Sequence, residues 1–459
     1  MKVDASIFKA YDIRGVVDQT LTEDAVRAVG RVLGTMALDN GVKRFCVGRD
    51  GRLTGERLQN ALVEGIASTG IDVLDVGAVP TPVLYFATKH FDCGTGVAVT
   101  GSHNPPEYNG LKMMVAGVTL FADQIQNIRS RIEREEWRIA AKSGSVEKVD
   151  AVTPYIEKVI DGVRLGRRLK VVVDAGNGIA GPAMLRILSK LDVEVIPIYC
   201  EVDGHFPNHH PDPSKPKNLE ALIRKVKEEG ADYGFALDGD GDRLGVVTNE
   251  GEVIYPDRLM MLFAEDILRS HPGAQIVYDV KCSRKLVDWI RVKGGVPVIS
   301  PTGHSLVKAK LRETGAPFAG EMSGHLFFND ERWTGFDDAL YSAVRLLEIL
   351  SRSDSPSEVL HSLPNAVNTP EIQIQTKEGE NKAFIEQFRK ACRFDDAEDV
   401  IKVDGVRVEW KDGFGLARAS NTTPVIVLRF EGDTQESLER IRKRFTDEMR
   451  RVDPEMKVQ

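Results

Sequence analysis

One supersecondary pattern, written three times along the chain, constrains its fold more than any other feature. Each copy opens with an apolar run that ends in aspartate, over 45–50 (FCVGRD), 171–174 (VVVD) and 276–279 (IVYD). A helical stretch follows each, over 56–68, 181–190 and 284–292, and then a second strand-like run over 71–76, 193–199 and 296–299. A second helix closes each copy, over 82–90, 218–229 and 305–313. The middle one shows the period plainly. Leu219, Leu222, Ile223 and Val226 share a face, Asn218 is placed to cap the start, and Gly230 to end it. Short apolar strands alternating with helices call for parallel sheets with helical crossovers, an α/β fold. After about residue 365 the pattern changes. Strands are expected over 371–376, 400–410 and 425–430, and helices over 381–392 and 435–449. Leu438, Ile441, Phe445 and Met449 form the apolar stripe of the last helix, and its Arg and Lys residues a solvated face. This part reads as a separate α+β domain.

The third strand of each copy runs into a polar, glycine-containing loop: Thr100-Gly-Ser-His-Asn-Pro105, Asp238-Gly-Asp-Gly-Asp-Arg243 and Gly320-Glu-Met-Ser-Gly-His325. Open α/β sheets bind ligands beyond the carboxyl ends of their strands, so three such loops facing one cleft would make a composite site. Three carboxylates alternating with glycines repel one another unless a cation joins them. The spacing is not that of an EF-hand, because Arg243 and Asn249 stand where glycine and glutamate would be needed. Mg²⁺ takes oxygen ligands and commonly completes its shell with a phosphate oxygen. Asp238, Asp240 and Asp242 would leave room for one, and a phosphoryl group on Ser102 could supply it. Ser102 occupies in the first copy the place the aspartates occupy in the second, although a loop serine taken alone is most simply a turn residue. Glu321 and Ser323, two apart in what reads as an extended stretch, would face one side and suit two adjacent sugar hydroxyls; a packing turn is the alternative. His103, His304 and His325 each also have the simpler reading of a structural histidine. Arg418-Ala-Ser-Asn-Thr-Thr-Pro424 offers a guanidinium fork, hydroxyls and backbone donors suited to a phosphate dianion, or an ordinary turn.

The net charge of −8 argues against nucleic-acid binding through a general basic surface and requires positive charge to be concentrated locally around any anionic substrate. The polar start, Met1-Lys-Val-Asp-Ala-Ser-Ile-Phe8, and the lack of a bilayer-length apolar run point to a cytoplasmic protein without a membrane partner. The five cysteines are scattered and without CxxC spacing, so reduced thiols are expected rather than a disulfide framework or a zinc site.

These loops, in this order and together with Lys9-Ala-Tyr-Asp-Ile-Arg-Gly15, resemble the α-D-phosphohexomutase superfamily, specifically its bacterial phosphomannomutase/phosphoglucomutase family, over essentially the whole chain. The resemblance implies three related mixed or parallel-sheet α/β domains and a C-terminal α+β domain around a central cleft. With the pattern above, it divides the chain into a phosphoserine-bearing domain (1–150), a metal-binding domain (151–253), a sugar-recognition domain (254–366) and a phosphate-binding domain (367–459). It implies a catalytic phosphoserine at Ser102, Mg²⁺ on Ser102, Asp238, Asp240 and Asp242, and Tyr11, Arg14, His103, Lys112, Arg243, Lys281 and His304 in the active cleft. Glu321 and Ser323 match the sugar contacts with His325 beside them, and Arg418, Ser420, Asn421 and Thr422 the distal phosphate site. Lys112, Arg14 and His325 are the implied participants in proton exchange, although the high pKa of an arginine makes Arg14 better suited to orienting than to accepting a proton. The implied reaction interconverts hexose 1-phosphate and hexose 6-phosphate of mannose, glucose or both, through glucose or mannose 1,6-bisphosphate, in a protein expected to be monomeric. Met322 fits the mannose/glucose subgroup. A phosphoglucosamine mutase and a non-catalytic phosphosugar-binding protein are the alternatives.

Overall fold

Phe45, Cys46, Val47 and Gly48 are buried in strand Arg44–Arg49, which has a parallel neighbour on each side, Asp72–Ala78 and Gly96–Val99. Its four central residues are buried whichever face they point to, which is why the sequence shows no alternation there. In the computed structural model, which describes residues 1–377, 379–421 and 423–456, this strand is central to a sheet ordered Ile13–Val16, Tyr108–Val115, Gly96–Val99, Arg44–Arg49, Asp72–Ala78, Val146–Lys148. The two strands at the first-named edge are antiparallel to their neighbours, so the sheet is mixed. Helix Glu23–Asp39, which periodicity did not single out, packs against Gly55–Ala67. Glycine permits the closeness of that crossing: a Cβ on Gly65 would lie 2.1 Å from the carbonyl oxygen of Arg27.

The chain divides into two compact units. The first comprises Met1–Pro256 with Ser323–Ser362, the second Asp257–Met322 with Leu363–Gln459. The first unit carries a further sheet, ordered Val253–Ile254, Leu244–Thr248, Tyr233–Leu237, Leu169–Asp174, Val193–Ile198. Its last three strands are parallel, and its first two form an antiparallel hairpin edge. In the second unit, Val296–Ser300, Gln275–Asp279 and Phe318–Gly320 are parallel, and a separate antiparallel sheet is built around Val425–Gly432 and Gly413–Ala419.

The expected strands and helices appear with ends displaced by at most three residues, and the structure differs in three places. Asn218 does not cap its helix. It lies in a 3-10 turn, Pro216–Leu219, that leads into helix Glu220–Glu229, and its side chain donates to the Asp212 carbonyl instead. Gly230, by contrast, ends that helix in the left-handed conformation. The single strand expected over 400–410 is two, Asp399–Ile401 and Val406–Trp410, paired antiparallel across a turn that needs positive φ at Gly405. Strand Gly413–Ala419 was not read from the sequence, its two glycines having weakened the pattern. The stripe Leu438, Ile441, Phe445 and Met449 is buried in the core of the C-terminal sheet, and Lys443 and Arg451 on the outer face pair with Asp447 and Glu448. Among the described residues no helix is long and apolar enough to cross a membrane.

Asp338 caps helix Ala339–Leu350 by accepting from the Tyr341 amide, and it also accepts from the Tyr155 hydroxyl at 2.8 Å. Burial outweighs these bonds and raises its pKa from 3.8 to about 7. The folded state therefore binds the extra proton between these values, and the contribution of this group to stability is lost as pH rises from about 4 to about 7. Asp338→Asn keeps an acceptor for the cap without the charge. The melting temperature of the variant relative to the parent is expected to rise steadily between pH 5 and pH 8. A difference independent of pH would show that Asp338 does not titrate there.

Candidate active site

The aspartates that end the first strand of each repeat tie down the loops beyond it. Asp50 accepts from the Thr100 hydroxyl at 2.7 Å and from the Gly101 amide at 3.3 Å. Asp174 accepts from the Gly176 amide and from His209 Nε2 at 2.9 Å. Asp279 accepts from the Thr302 hydroxyl at 2.7 Å and from the Met322 amide at 3.0 Å.

Arg52, buried and two residues beyond Asp50, spans the serine loop. Its Nη1 donates to the carbonyls of Pro105 and Tyr108 and its Nη2 to those of Ser102 and Asn104, at 2.6–3.0 Å, while its Nε donates to Asp50. A Cβ on Gly101 would lie 2.4 Å from Arg52 Cζ, so only glycine lets the guanidinium lie along the loop. Ser102 is held at φ 50°, a conformation costing a non-glycine residue on the order of 1 kcal/mol. Sequence reasoning missed Arg52; the available signal was a basic residue just beyond a strand-end aspartate.

Held this way, Ser102 Oγ donates to Asp238 Oδ2 at 3.0 Å and lies 3.1 Å from His103 Nδ1. Asp238 Oδ1 accepts from the amides of Gly241, Asp242 and Arg243 at 3.0–3.1 Å, folding the acidic loop around its first carboxylate. A Cβ on Gly239 would meet the Ser102 carbonyl oxygen at 2.2 Å, so glycine is what lets the serine and aspartate loops touch. Asp240 Oδ2 accepts from Lys112 Nζ at 2.7 Å and from the Thr81 hydroxyl at 2.5 Å, and Lys112 also pairs with Asp242.

All three aspartates are fully buried. Burial and the charges of its two neighbours push Asp238 well above the usual carboxylate range. Burial acts the same way on Asp240 and Asp242, but Lys112 holds both below that range, helped at Asp242 by His325 and Arg243. Burial and the cations Arg243, Arg14 and Lys112 press His103 well below its ordinary value, which keeps it neutral.

The residues fit a metal. Single carboxylate oxygens of Asp238, Asp240 and Asp242 lie within 4.8 Å of one another, and buried Asp240 Oδ1 accepts no hydrogen bond among the described residues. An all-oxygen donor set suits a hard divalent cation, which would favour the ionised form of all three carboxylates. Arg243 Nε donates to His325 Nε2 at 3.3 Å, and His325 Nδ1 lies 2.8 Å from Ser323 Oγ. Asp337, also missed, is buried with its carboxylate 3.9 Å from His325 Nε2. Arg14 donates to Asn104 Oδ1 at 2.5 Å and pairs with Asp12. Tyr11 lies half-buried nearby in sequence.

The remaining expected residues belong to the second unit. Glu321 is buried and accepts from the Gly303 amide at 2.6 Å, at the start of helix His304–Thr314, whose first residue His304 is also buried. Met322 and Ser323 form a turn rather than the extended stretch expected. Lys281 Nζ lies 3.4 Å from Glu371; burial lowers its pKa, but Glu371 and Asp279 raise it further, so it stays charged. Arg418 Nε donates to Asp404 at 2.9 Å. The Ser420 amide donates to the Val425 carbonyl and its hydroxyl lies 2.9 Å from that of Thr423, closing the loop that contains Asn421. Thr422 lies outside the described residues.

A loop serine donating to a buried acidic trio, on mixed α/β sheets, is the apparatus of a phosphoryl-transfer enzyme. The phosphoglucomutase/phosphomannomutase alpha/beta/alpha domains I, II and III match residues 5–139, 153–251 and 255–367, and the C-terminal domain of the same family matches 371–448. A phosphomannomutase/phosphoglucomutase of Pseudomonas aeruginosa is 53% identical over 455 residues, covering 99% of this chain and 97% of the relative. A phosphoglucomutase of Neisseria gonorrhoeae is 51% identical over 444 residues, covering 96% of each. The crystal structure of a phosphoglucomutase/phosphomannomutase family protein from Burkholderia thailandensis superposes with a TM-score of 0.94 at 50% identity, covering 99% of both chains. The chain belongs to the phosphoglucomutase/phosphomannomutase family, and it is a phosphohexomutase, an intramolecular phosphotransferase.

Arg52→Lys keeps the positive charge but loses the fork that spans four carbonyls. A misplacement of about 1 Å at a reacting atom can cost about 100-fold in rate. Turnover is expected to fall by about that factor with KM changed far less. A parallel loss in KM, or an unchanged kcat, would count against a role in holding Ser102.

Proposed function

We propose that the protein interconverts hexose 1-phosphate and hexose 6-phosphate, of mannose, glucose or both, through a phosphorylated Ser102 and a hexose 1,6-bisphosphate. The observation that carries this reading is Ser102 Oγ at 3.0 Å from Asp238 within the acidic trio. Asp238, Asp240 and Asp242 would hold Mg²⁺, and a phosphoryl group on Ser102 would supply a further oxygen. When bound, the metal neutralises charge on the transferring group.

The cycle begins with phosphorylated Ser102 and hexose 1-phosphate. The free 6-hydroxyl attacks the phosphorus, the bond from phosphorus to Ser102 Oγ breaks, and the hydroxyl proton leaves. The bisphosphate reverses, its 1-phosphoryl group returns to Ser102 Oγ, and hexose 6-phosphate departs. Both transfers place charge on equatorial phosphoryl oxygens, so the protein contributes mainly position and fixed positive charge, from Arg243 and Lys112. His325 is the side chain suited to exchanging the proton, since Lys112 is held charged between Asp240 and Asp242, and Arg14 and the neutral His103 orient the serine loop. Glu321, Ser323, Lys281, His304 and Tyr11 recognise the sugar, and Arg418, Ser420, Asn421 and Thr422 the distal phosphate. The same contacts must serve 1- and 6-phosphates alike, because the ring turns between the two transfers. The four-part division at 150, 253 and 366 is the corresponding allotment of tasks, in a cytoplasmic monomer.

A substrate panel with a trace of hexose 1,6-bisphosphate tests the assignment, activity on glucosamine phosphate alone being the result that overturns it. Without added bisphosphate, Ser102→Ala is expected to lose at least about 1,000-fold in kcat while still binding hexose phosphate. Intact-mass measurement should show phosphate on the parent and none on the variant; parental turnover by the variant would falsify the phosphoserine route. Asp240→Asn should raise the Mg²⁺ concentration for half-maximal activity by about tenfold or more, with KM for the sugar little changed. An unaltered Mg²⁺ titration would remove Asp240 from the ligand set.

A further inference from the structure

Two thiols that the mechanism leaves unused meet inside the first sheet. Cys46 lies in strand Arg44–Arg49, beside Gly96 of the parallel strand Gly96–Val99, and Cys93 sits in the turn just before that neighbour. Their sulfurs are 3.1 Å apart. Cys46 is inaccessible, whereas Cys93 keeps 8% of its surface and is flanked by exposed Asp92. The remaining cysteines are not placed this way. Cys200 directs its thiol at the Val173 carbonyl and Cys282 at Asp279, and Cys392 is half-buried.

We infer that Cys46 and Cys93 form a dithiol site that takes a hydroperoxide as oxidant and converts to a disulfide within the first sheet. A disulfide needs the sulfurs about 1 Å closer than they stand, a shift within reach of side-chain torsions in a turn. Cys93, buried but with 8% of its surface exposed against none for Cys46, is the thiol that reacts first. The hydrogen bond from Cys46 also brings its pKa down to about 7, which favours the thiolate, while the same bond and burial raise Cys46. The Cys93 thiolate attacks the terminal, hydrogen-bearing peroxide oxygen, the O–O bond breaks, and hydroxide or alkoxide leaves and takes up the proton released from Cys93, giving a sulfenic acid at Cys93. The Cys46 sulfur then attacks the Cys93 sulfur. The S–O bond breaks, and the departing hydroxide takes the Cys46 proton as water. Two thiols lose two electrons, and one hydroperoxide is reduced to water and an alcohol or a second water.

The disulfide would close a loop of 47 residues containing helices Gly55–Ala67 and Thr81–His90, and so restrict the unfolded chain. Cys46 lies in the amino-terminal half of its strand and Cys93 precedes strand Gly96–Val99, whereas the Asp50 and Ser102 loops follow the carboxyl ends, so catalysis should continue in the oxidised form.

The test uses the full chain, reduced, freed of reductant and exposed to hydrogen peroxide. Free thiols are then alkylated under denaturing conditions and the peptides read by mass spectrometry. A linked Cys46–Cys93 peptide that dithiothreitol abolishes is expected, with Cys200 and Cys282 recovered as alkylated thiols. The melting temperature should rise by several degrees on oxidation and return on reduction. Cys93→Ser should keep parental kcat and show no such rise. Recovery of Cys46 and Cys93 as separate thiols, of Cys93 as sulfinic acid without a link, or an equal rise in Cys93→Ser would overturn the inference.

Discussion

Three carboxylates buried within one ligand distance of each other are the constraint around which the first unit is arranged. Such a cluster is unfavourable without compensation, since each charge loses water and gains like-charged neighbours. The compensation comes from separate stretches of chain: Lys112 from strand Tyr108–Val115, Thr81 from the start of a helix, and three amides of the acidic loop itself. Because these groups are far apart in sequence, the cluster can exist only when the two sheets of that unit are both formed. Among the described residues Asp240 Oδ1 has no donor, so the arrangement that stabilises the fold also suits that oxygen to a cation.

The strand-end aspartates Asp50, Asp174 and Asp279 solve a related problem three times. A loop beyond a parallel strand has amides and hydroxyls without a ladder partner, and a buried carboxylate at the strand end accepts from several at once. The repeat seen in the sequence is therefore a repeat of chemistry as well as of shape. In the first copy Arg52 adds a second restraint from the opposite polarity, donating where Asp50 accepts. Between them the loop is clamped from both sides, which is how Ser102 can be held with positive φ.

Much of the fold and much of the candidate site were legible because their signals are local. An apolar run ending in aspartate, a 3.6-residue stripe and a DGDGD loop all lie within a few residues of each other. What escaped depended on distant partners. Helix Glu23–Asp39 is tied to Gly55–Ala67 by a glycine-mediated crossing that no window along one helix reveals. Asn218 looked like a cap, but the chain makes a 3-10 turn there and the helix begins only at Glu220, so the Asn218 side-chain nitrogen donates to the Asp212 carbonyl instead. Arg52, Thr81 and Asp337 carry no motif; their place beside the site follows from where neighbouring strands and helices set them down.

The sequence by itself determined the order of the units, the identity of the charged loops and the kind of chemistry they suit, because side-chain type and spacing along a strand or turn are properties of the chain. Only the tertiary structure decided that Ser102 points at Asp238, that Lys112 lies between Asp240 and Asp242, and that Cys46 and Cys93 touch. These are contacts between residues 47 to 136 positions apart. Their geometry is set by sheet pairing and by glycines that let two backbones approach, and neither can be read from any segment taken alone.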